Sequence, residues 1–194
     1  MKRCIVEFEG MPGVYYSQSA NHRTPKLHDR ESDEDYDART WPEHCTTNKD
    51  GIVCVPAMAL KQCVDSAAWK LGMKIPGRRG ASYKTFFASG FFCEEDAPIA
   101  NGKPLTKEDA EMIKISCNPQ GIRGARGRVD RRFPQFRGWK GIAPFIIVDE
   151  IITNQVFEVH VEKAGMIVGI GRFRPENGGI NGRFRPIKFT WQDL

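Results

Sequence analysis

Between Gly169 and Gly182 the chain reads Gly-Ile-Gly-Arg-Phe-Arg-Pro-Glu-Asn-Gly-Gly-Ile-Asn-Gly, and it runs on into Arg183-Phe184-Arg185. Five of the fourteen residues are glycines, and Arg172, Arg174, Arg183 and Arg185 are interleaved with Phe173 and Phe184. Glycine permits positive φ and lets a ligand approach the peptide N–H groups. Arginine adds a planar fork of donors matched to phosphate. A loop of this composition could cradle phosphates through Gly169, Gly171, Gly178, Gly179 and the flanking arginines. A wide, solvated surface hairpin has the same composition.

A second cluster lies upstream. From Gly121 to Gly141, Arg123, Arg126, Arg128, Arg131, Arg132, Arg137 and Lys140 oppose one acid, Asp130, with Phe133, Phe136 and Trp139 among them. Cations neutralise phosphates and aromatic rings stack unpaired bases. The run Gly-Ile-Arg-Gly-Ala-Arg-Gly-Arg predicts the tip of a basic hairpin, a thumb over residues 118–141. The alternative is an exposed basic loop whose aromatics anchor its base.

The charge balance agrees with a polyanionic partner. The 194 residues carry a formal +5, yet residues 29–37 hold six acids and one arginine, so the rest carries +10. From Gly121 to the end, thirteen lysines and arginines face seven acids. Nucleic acid is the commonest partner of such a surface. The six cysteines form no CxxC pair, and there is no secretory signal or apolar run near 18 residues. These features predict reduced thiols, a cytoplasmic protein and no membrane partner. Cys54 and Cys63 have the setting of small core residues. His44-Cys45 with Cys54 could offer zinc ligands, but the usual close ligand pairing is missing. No metal or other cofactor is expected.

Elements must position these clusters. Cys4–Glu9 predicts an opening strand from its β-branched and aromatic content. Residues 17–50 lack apolar periodicity and predict a long polar, acidic insertion, loop-like or partly disordered. Its acidic run is a solvated face, or else docks on the protein's own basic surface or a neighbour's. Gly51–Pro56 predicts a short strand. From Pro56 a helix follows, with Met58, Leu60, Val64, Ala67 and Leu71 on its apolar face, Gly72 ending it, and Lys61 and Lys70 opposite. Pro76–Gly80 is a basic turn. Thr85–Phe87 and Gly90–Cys93 look strand-like. Thr106 predicts the cap of a helical turn, and Met112–Cys117 and Ala143–Val148 predict strands. Residues 153–168 fit either period; their length favours a helix capped by Thr153. Ile187–Trp191 predicts the last strand.

Taken in order, three segments resemble the repeat-associated mysterious protein (RAMP) superfamily of CRISPR systems. They are the opening strand, the segment Ile52-Val-Cys-Val-Pro-Ala-Met-Ala-Leu-Lys61 entering a helix, and the helix ending at Val168 with its glycine-rich loop and final strand. A dinucleotide fingerprint fits poorly, because Gly169-x-Gly171 follows a helix and Arg174 stands where the third glycine belongs. The resemblance implies an α+β, ferredoxin-like (RRM-like) core, an antiparallel sheet with two helices on one face. In that family the helix after the proline, here with Lys61 as its basic residue, and the glycine-rich loop hold guide-RNA backbone. In the backbone-subunit branch a basic hairpin inserts between nucleotides, a counterpart for Gly121–Gly141.

The leading expectation is a non-catalytic binder of single-stranded nucleic acid, RNA favoured. Arg172, Arg174, Arg183 and the loop amides would hold phosphates, and Arg123, Arg126, Arg128 and Arg131 would lie along the strand. Homo-oligomers or CRISPR-complex subunits are further expected partners, in a bacterial cell or encoded by a phage. One alternative is an RNA endonuclease of the guide-processing type, with His44 or His22 as general acid or base. Another is a phage antagonist of a defence complex, with residues 29–37 imitating nucleic acid.

Overall fold

The computed structural model describes residues 1–20, 24–117 and 129–194. The fold is α+β, with two antiparallel sheets. Strand β1 (Lys2–Gly10) buries Cys4, Val6 and Phe8 in strict alternation, the period of a half-covered strand. After it come β2 (Tyr16–Ser17), α1 (Asp33–Thr40), a 3-10 turn over Trp41–His44, β3 (Cys54–Val55) and α2 (Ala57–Leu71). Then follow α3 (Lys84–Ser89), β4 (Phe91–Cys93), β5 (Ala97–Asn101), β6 (Lys103–Pro104) and β7 (Glu111–Cys117). The chain ends with β8 (Val129–Phe136), β9 (Lys140–Ile147), α4 (Asn154–Lys163) and β10 (Phe184–Asp193).

The main sheet has the order β10-β1-β9-β5-β3, with β4 also paired to β9 and β6 to β5. β1 lies between β10 and β9 and is antiparallel to both, Lys2 facing Asp193 on one side and Ile147 on the other. Helices α2 and α4 cover one face. Phe157 of α4 meets Phe145 at 5.4 Å, Phe91 at 5.7 Å and Trp191 at 5.8 Å between ring centroids. From α2, Leu60, Cys63, Val64, Ala67 and Ala68 enter the same core. The other face is left open, with Ile142 and Ile187 in water. The smaller sheet runs β2-β8-β7. It joins the first through an aromatic seam, in which buried Trp139 meets Tyr16 at 5.3 Å and Phe8 at 6.1 Å.

The helix expected after Pro56 is present, with Pro56 at its entry and Gly72 left-handed at its end. So is the helix capped by Thr153, whose hydroxyl accepts from the Val156 amide; it continues as a π-turn over Ala164–Val168. Cys54 and Cys63 are core residues, and burial pushes the Cys4, Cys45 and Cys93 thiols up to about 12. Three expectations are corrected. Thr85–Phe87 lies in α3 and not in a strand, because Tyr83 anchors the segment to Met73 and Phe87 turns into the core. Met58 is 64% exposed, since the apolar face of α2 begins at Leu60. Residues 17–50 are not merely a loop: they hold the end of β2, α1 and the 3-10 turn, and α1 is polar because Glu34 and Asp37 pack it by charge. No described helix is long and apolar enough to cross a membrane.

His160 is fully buried on α4, its Nδ1 2.6 Å from the Val156 carbonyl and its ring stacked on Phe87 at 4.2 Å. Burial holds its pKa below 6.5, opposed by the Val156 bond. His44 is also lowered, first by burial and then by Arg172 and Arg131, with Asp37 opposing. Below 6.5 the unfolded chain therefore binds protons that the folded chain refuses, and stability is lost as pH falls. We expect the melting temperature to drop between about pH 7.5 and 5.5 and the drop to be shallower in His160→Gln; parallel curves for the two proteins would contradict this.

Candidate nucleic-acid interface

The glycine-rich loop is a knot of backbone. The amide of Gly182 donates to the Tyr15 carbonyl at 2.7 Å, Arg172 to Ser17 at 2.7 Å, Ile170 to Gly182 at 3.1 Å and Asn181 to Phe173 at 2.9 Å. The amides of Gly178 and Gly179 return to Pro175 and Arg174. Two glycines show why the sequence needs them. Gly182 has φ 67°, and a Cβ there would strike the Ile170 carbonyl; Gly171 has φ 74° and presses on the Ser17 carbonyl. Phe173, without a glycine's freedom, is held at φ 57° while its ring meets Phe133 edge-on at 6.2 Å.

These contacts place the loop between the small sheet and α2. On its α2 side a groove of about 170 Å³ is lined by Gln62, Ser66, Gly169, Gly171, Arg174 and Glu176, among others. The loop amides named above are occupied within the fold, so they do not form an open cradle. Side chains dominate the chemistry of the groove. Gln62, Ser66 and Arg174 can donate to an anion, while Asp65 and Glu176 oppose one.

The sequence-predicted residues divide accordingly. Gly169, Gly171 and Arg174 meet in the groove. Arg174 is clamped to Glu176 at 3.1 Å through Nε and one terminal nitrogen. Arg183 lies at the loop's other end, donating to Met166 and Ile180 carbonyls at 3.3 Å. Arg172 stacks its guanidinium over Phe133 at 3.6 Å, which directs it to the small sheet. Gly178 and Gly179 shape the turn after Pro175–Asn177. Lys61 does not lie on an open face of α2. It bonds the Ala88 carbonyl at 2.7 Å and pairs with Asp65 at 3.5 Å.

β7 and β8 pair in register from Glu111–Gln135 to Cys117–Val129, while residues 118–128, where the tip of the expected basic hairpin falls, lie outside the described residues. Arg123, Arg126 and Arg128 lie outside the described residues. Phe133, Phe136 and Trp139 are buried and anchor the base. Arg131 and Arg132 face α1. Asp37, 3% exposed, accepts from the Arg132 amide at 2.9 Å and its guanidinium at 3.3 Å, with Arg131 at 3.9 Å. Glu34 reaches Arg132 at 3.4 Å and Lys114 at 4.0 Å. The acidic run therefore docks in part on the protein's own basic ribbon. Glu176 is a site residue that sequence reasoning missed, and for Asp37 the sequence offered docking of its acidic run but not the partner Arg132. Arg174 two positions before Glu176 is the signal for that pair, but pairing across 95 positions is invisible in a single sequence.

Among the histidines, His44 and His160 are buried and His28 is exposed. His22 lies outside the described residues. No three His, Cys, Asp or Glu residues converge as a metal site among the described residues.

Removing the Asp37 carboxylate leaves the Arg132 amide without its partner, which costs about 2 kcal/mol in a buried setting. Asp37→Ala is expected to lower the unfolding free energy by that amount and to speed proteolysis between residues 24 and 44. Gly182→Ala, clashing at positive φ, is expected to cost about 3 kcal/mol; urea unfolding measures both, and wild-type stability in either variant contradicts the packing described.

No protein-family model matches this sequence, and no curated protein matches it. Among solved structures, the chain aligns over 98% of its length with a chain in the cryo-EM structure of the type III-B Cmr-beta bound to cognate target RNA. The TM-score is 0.52, the sequence identity 13%, and the match spans 60% of that chain. A chain of a CRISPR RNA-guided surveillance complex matches 94% of this chain and 66% of its own length at 10% identity; its TM-score of 0.36 is too low to carry an argument. The first likeness is one of fold.

Proposed function

We propose that the protein is a non-catalytic binder of single-stranded nucleic acid, RNA favoured, built on a ferredoxin-like RAMP core. The observation that carries the reading is the groove where the helix after Pro56 meets the glycine-rich loop. The sheet order β10-β1-β9 with β4 and β5 beside β9, and crossovers through α2 and α4, supports the ferredoxin-like assignment. The fold likeness to a chain of an RNA-bound CRISPR complex supports the partner class. A strand in the groove would meet Gln62, Ser66 and Arg174, with Arg183 along the loop. Arg123, Arg126 and Arg128, between the ends of β7 and β8, would extend the contact. Assembly along the strand, or with CRISPR subunits, follows from the same reading. So do a bacterial cytoplasm and the possibility that a phage encodes the protein.

No observation favours the endonuclease alternative: two of the described histidines are core residues with pKa values lowered by burial. The pairing of Glu34 and Asp37 with the ribbon also occupies part of the acid run that an antagonist would display.

Binding of a fluorescent 15-nucleotide single strand tests the proposal. Affinity is expected to fall with salt by about 0.7 log unit per decade for each phosphate held. Arg174→Ala/Arg183→Ala is expected to weaken binding by roughly tenfold, the equivalent of about 1.4 kcal/mol. Absence of binding at low salt, or affinity indifferent to salt, would overturn the reading.

A further inference from the structure

Most cations of the described chain are neutralised at short range. Arg3, Arg39, Lys103, Lys107, Lys114, Arg132, Arg137, Lys140, Arg174 and Arg185 each lie within 4.0 Å of a carboxylate. The stretch after α2 departs furthest from this rule. From Ser66 to Cys93 the chain has five cations, Lys70, Lys74, Arg78, Arg79 and Lys84, and no acid at all. Among the described residues only Lys70 of the five has a carboxylate within reach, Glu176 at 3.8 Å.

The fold gathers these residues at the carboxy-terminal end of α2. Tyr83 donates to the Met73 carbonyl at 3.0 Å and Ile75 to Ala81 at 3.1 Å. These bonds fold residues 73–83 back on themselves, with Pro76–Gly80 as an exposed tip. The Lys84 stem crosses the end of α2 close to Gly72, and its ammonium sits 5.2 Å from the Trp69 ring centroid. Trp69 is 54% exposed on the last turns of the helix.

The helix dipole explains only part of this. Cations stabilise the last turn of a helix, and Lys70 stands there, but the effect fades beyond that turn. Arg78 and Arg79 lie a loop further on, exposed, where repulsion among like charges is uncompensated. Core packing does not explain an indole left more than half in water. An exposed ring with one face toward a lysine, in a stretch of cations of which only Lys70 has a carboxylate within reach, has the features of a stacking platform for an unpaired base with its phosphates held nearby.

We propose that Trp69, Lys70, Lys74, Arg78, Arg79 and Lys84 form a second contact surface for single-stranded nucleic acid, apart from the ribbon and adjoining the groove only through the Lys70–Glu176 pair. The surface does not depend on the groove's being a binding site. Trp69 stacks a base, and Arg78 and Arg79 on the exposed tip hold phosphates on either side.

The test uses the full chain and an oligouridine of fifteen nucleotides. Arg78→Ala/Arg79→Ala is expected to lose about tenfold in affinity at low salt. Its salt slope should fall by about 1.4, two phosphate contacts at 0.7 each. Wild-type indole emission should be quenched on binding, and Trp69→Phe should lose that quench; both variants alter exposed side chains and should melt as wild type does. Unchanged affinity, slope and quench in these variants would overturn the proposal. If the strand binds but only Arg174→Ala/Arg183→Ala weakens it, the groove reading stands and this surface fails. Loss in the Arg78/Arg79 variant alone supports this surface and removes the groove. Tighter binding of polyglutamate than of oligouridine, without quench, would assign the surface to an acidic protein and overturn the proposal too.

Discussion

The backbone hydrogen bonds that tie the glycine-rich loop to Tyr15 and Ser17 fix the loop against the small sheet. Gly182 and Arg172 donate to those two carbonyls at 2.7 Å each, and no side chain fits between the strands of backbone so joined. From this contact the loop reaches the small sheet on one side, through Arg172 on Phe133, and α2 on the other. The glycines are thus explained by close approach of backbone to backbone. What a ligand would meet is the set of side chains that this packing turns outward.

Charge is arranged with the same economy. Of the twelve described arginines, seven are bound to acids, five of these to acids from distant parts of the chain. The exposed pairs contribute little to stability. Asp37 differs, being buried and bonded to both the amide and the guanidinium of Arg132. It converts an acidic stretch with no hydrophobic pattern into a docked helix. Among the described residues, cations without a carboxylate in reach include Lys74, Arg78, Arg79 and Lys84 beyond α2, and Arg183.

Much of this was legible in the sequence wherever a period or a cap governs the element. The β1 alternation, the α2 stripe from Leu60 to Ala67, Gly72 and the Thr153 cap all declare themselves locally. Failures have a common cause. α1 is held by ion pairs across nearly a hundred residues, so no local period marks it. Thr85–Phe87 has strand-like composition, yet the Tyr83–Met73 bond and the pocket that takes Phe87 turn it into a helix. Glycine and arginine composition suggested an amide cradle, but composition cannot report that Tyr15 and Ser17 already accept those amides. The cation-rich stretch after Trp69 was equally hidden, because its significance depends on which other cations are paired.

The most direct measurement is photo-crosslinking of a 4-thiouridine-containing single strand to the full chain, with the crosslinked peptides identified by mass spectrometry. The account predicts crosslinks in residues 58–84 and 169–185, on α2, its following loop and the glycine-rich loop. Crosslinks confined to the open sheet face around Ile142 and Ile187, or none at low salt, would contradict it.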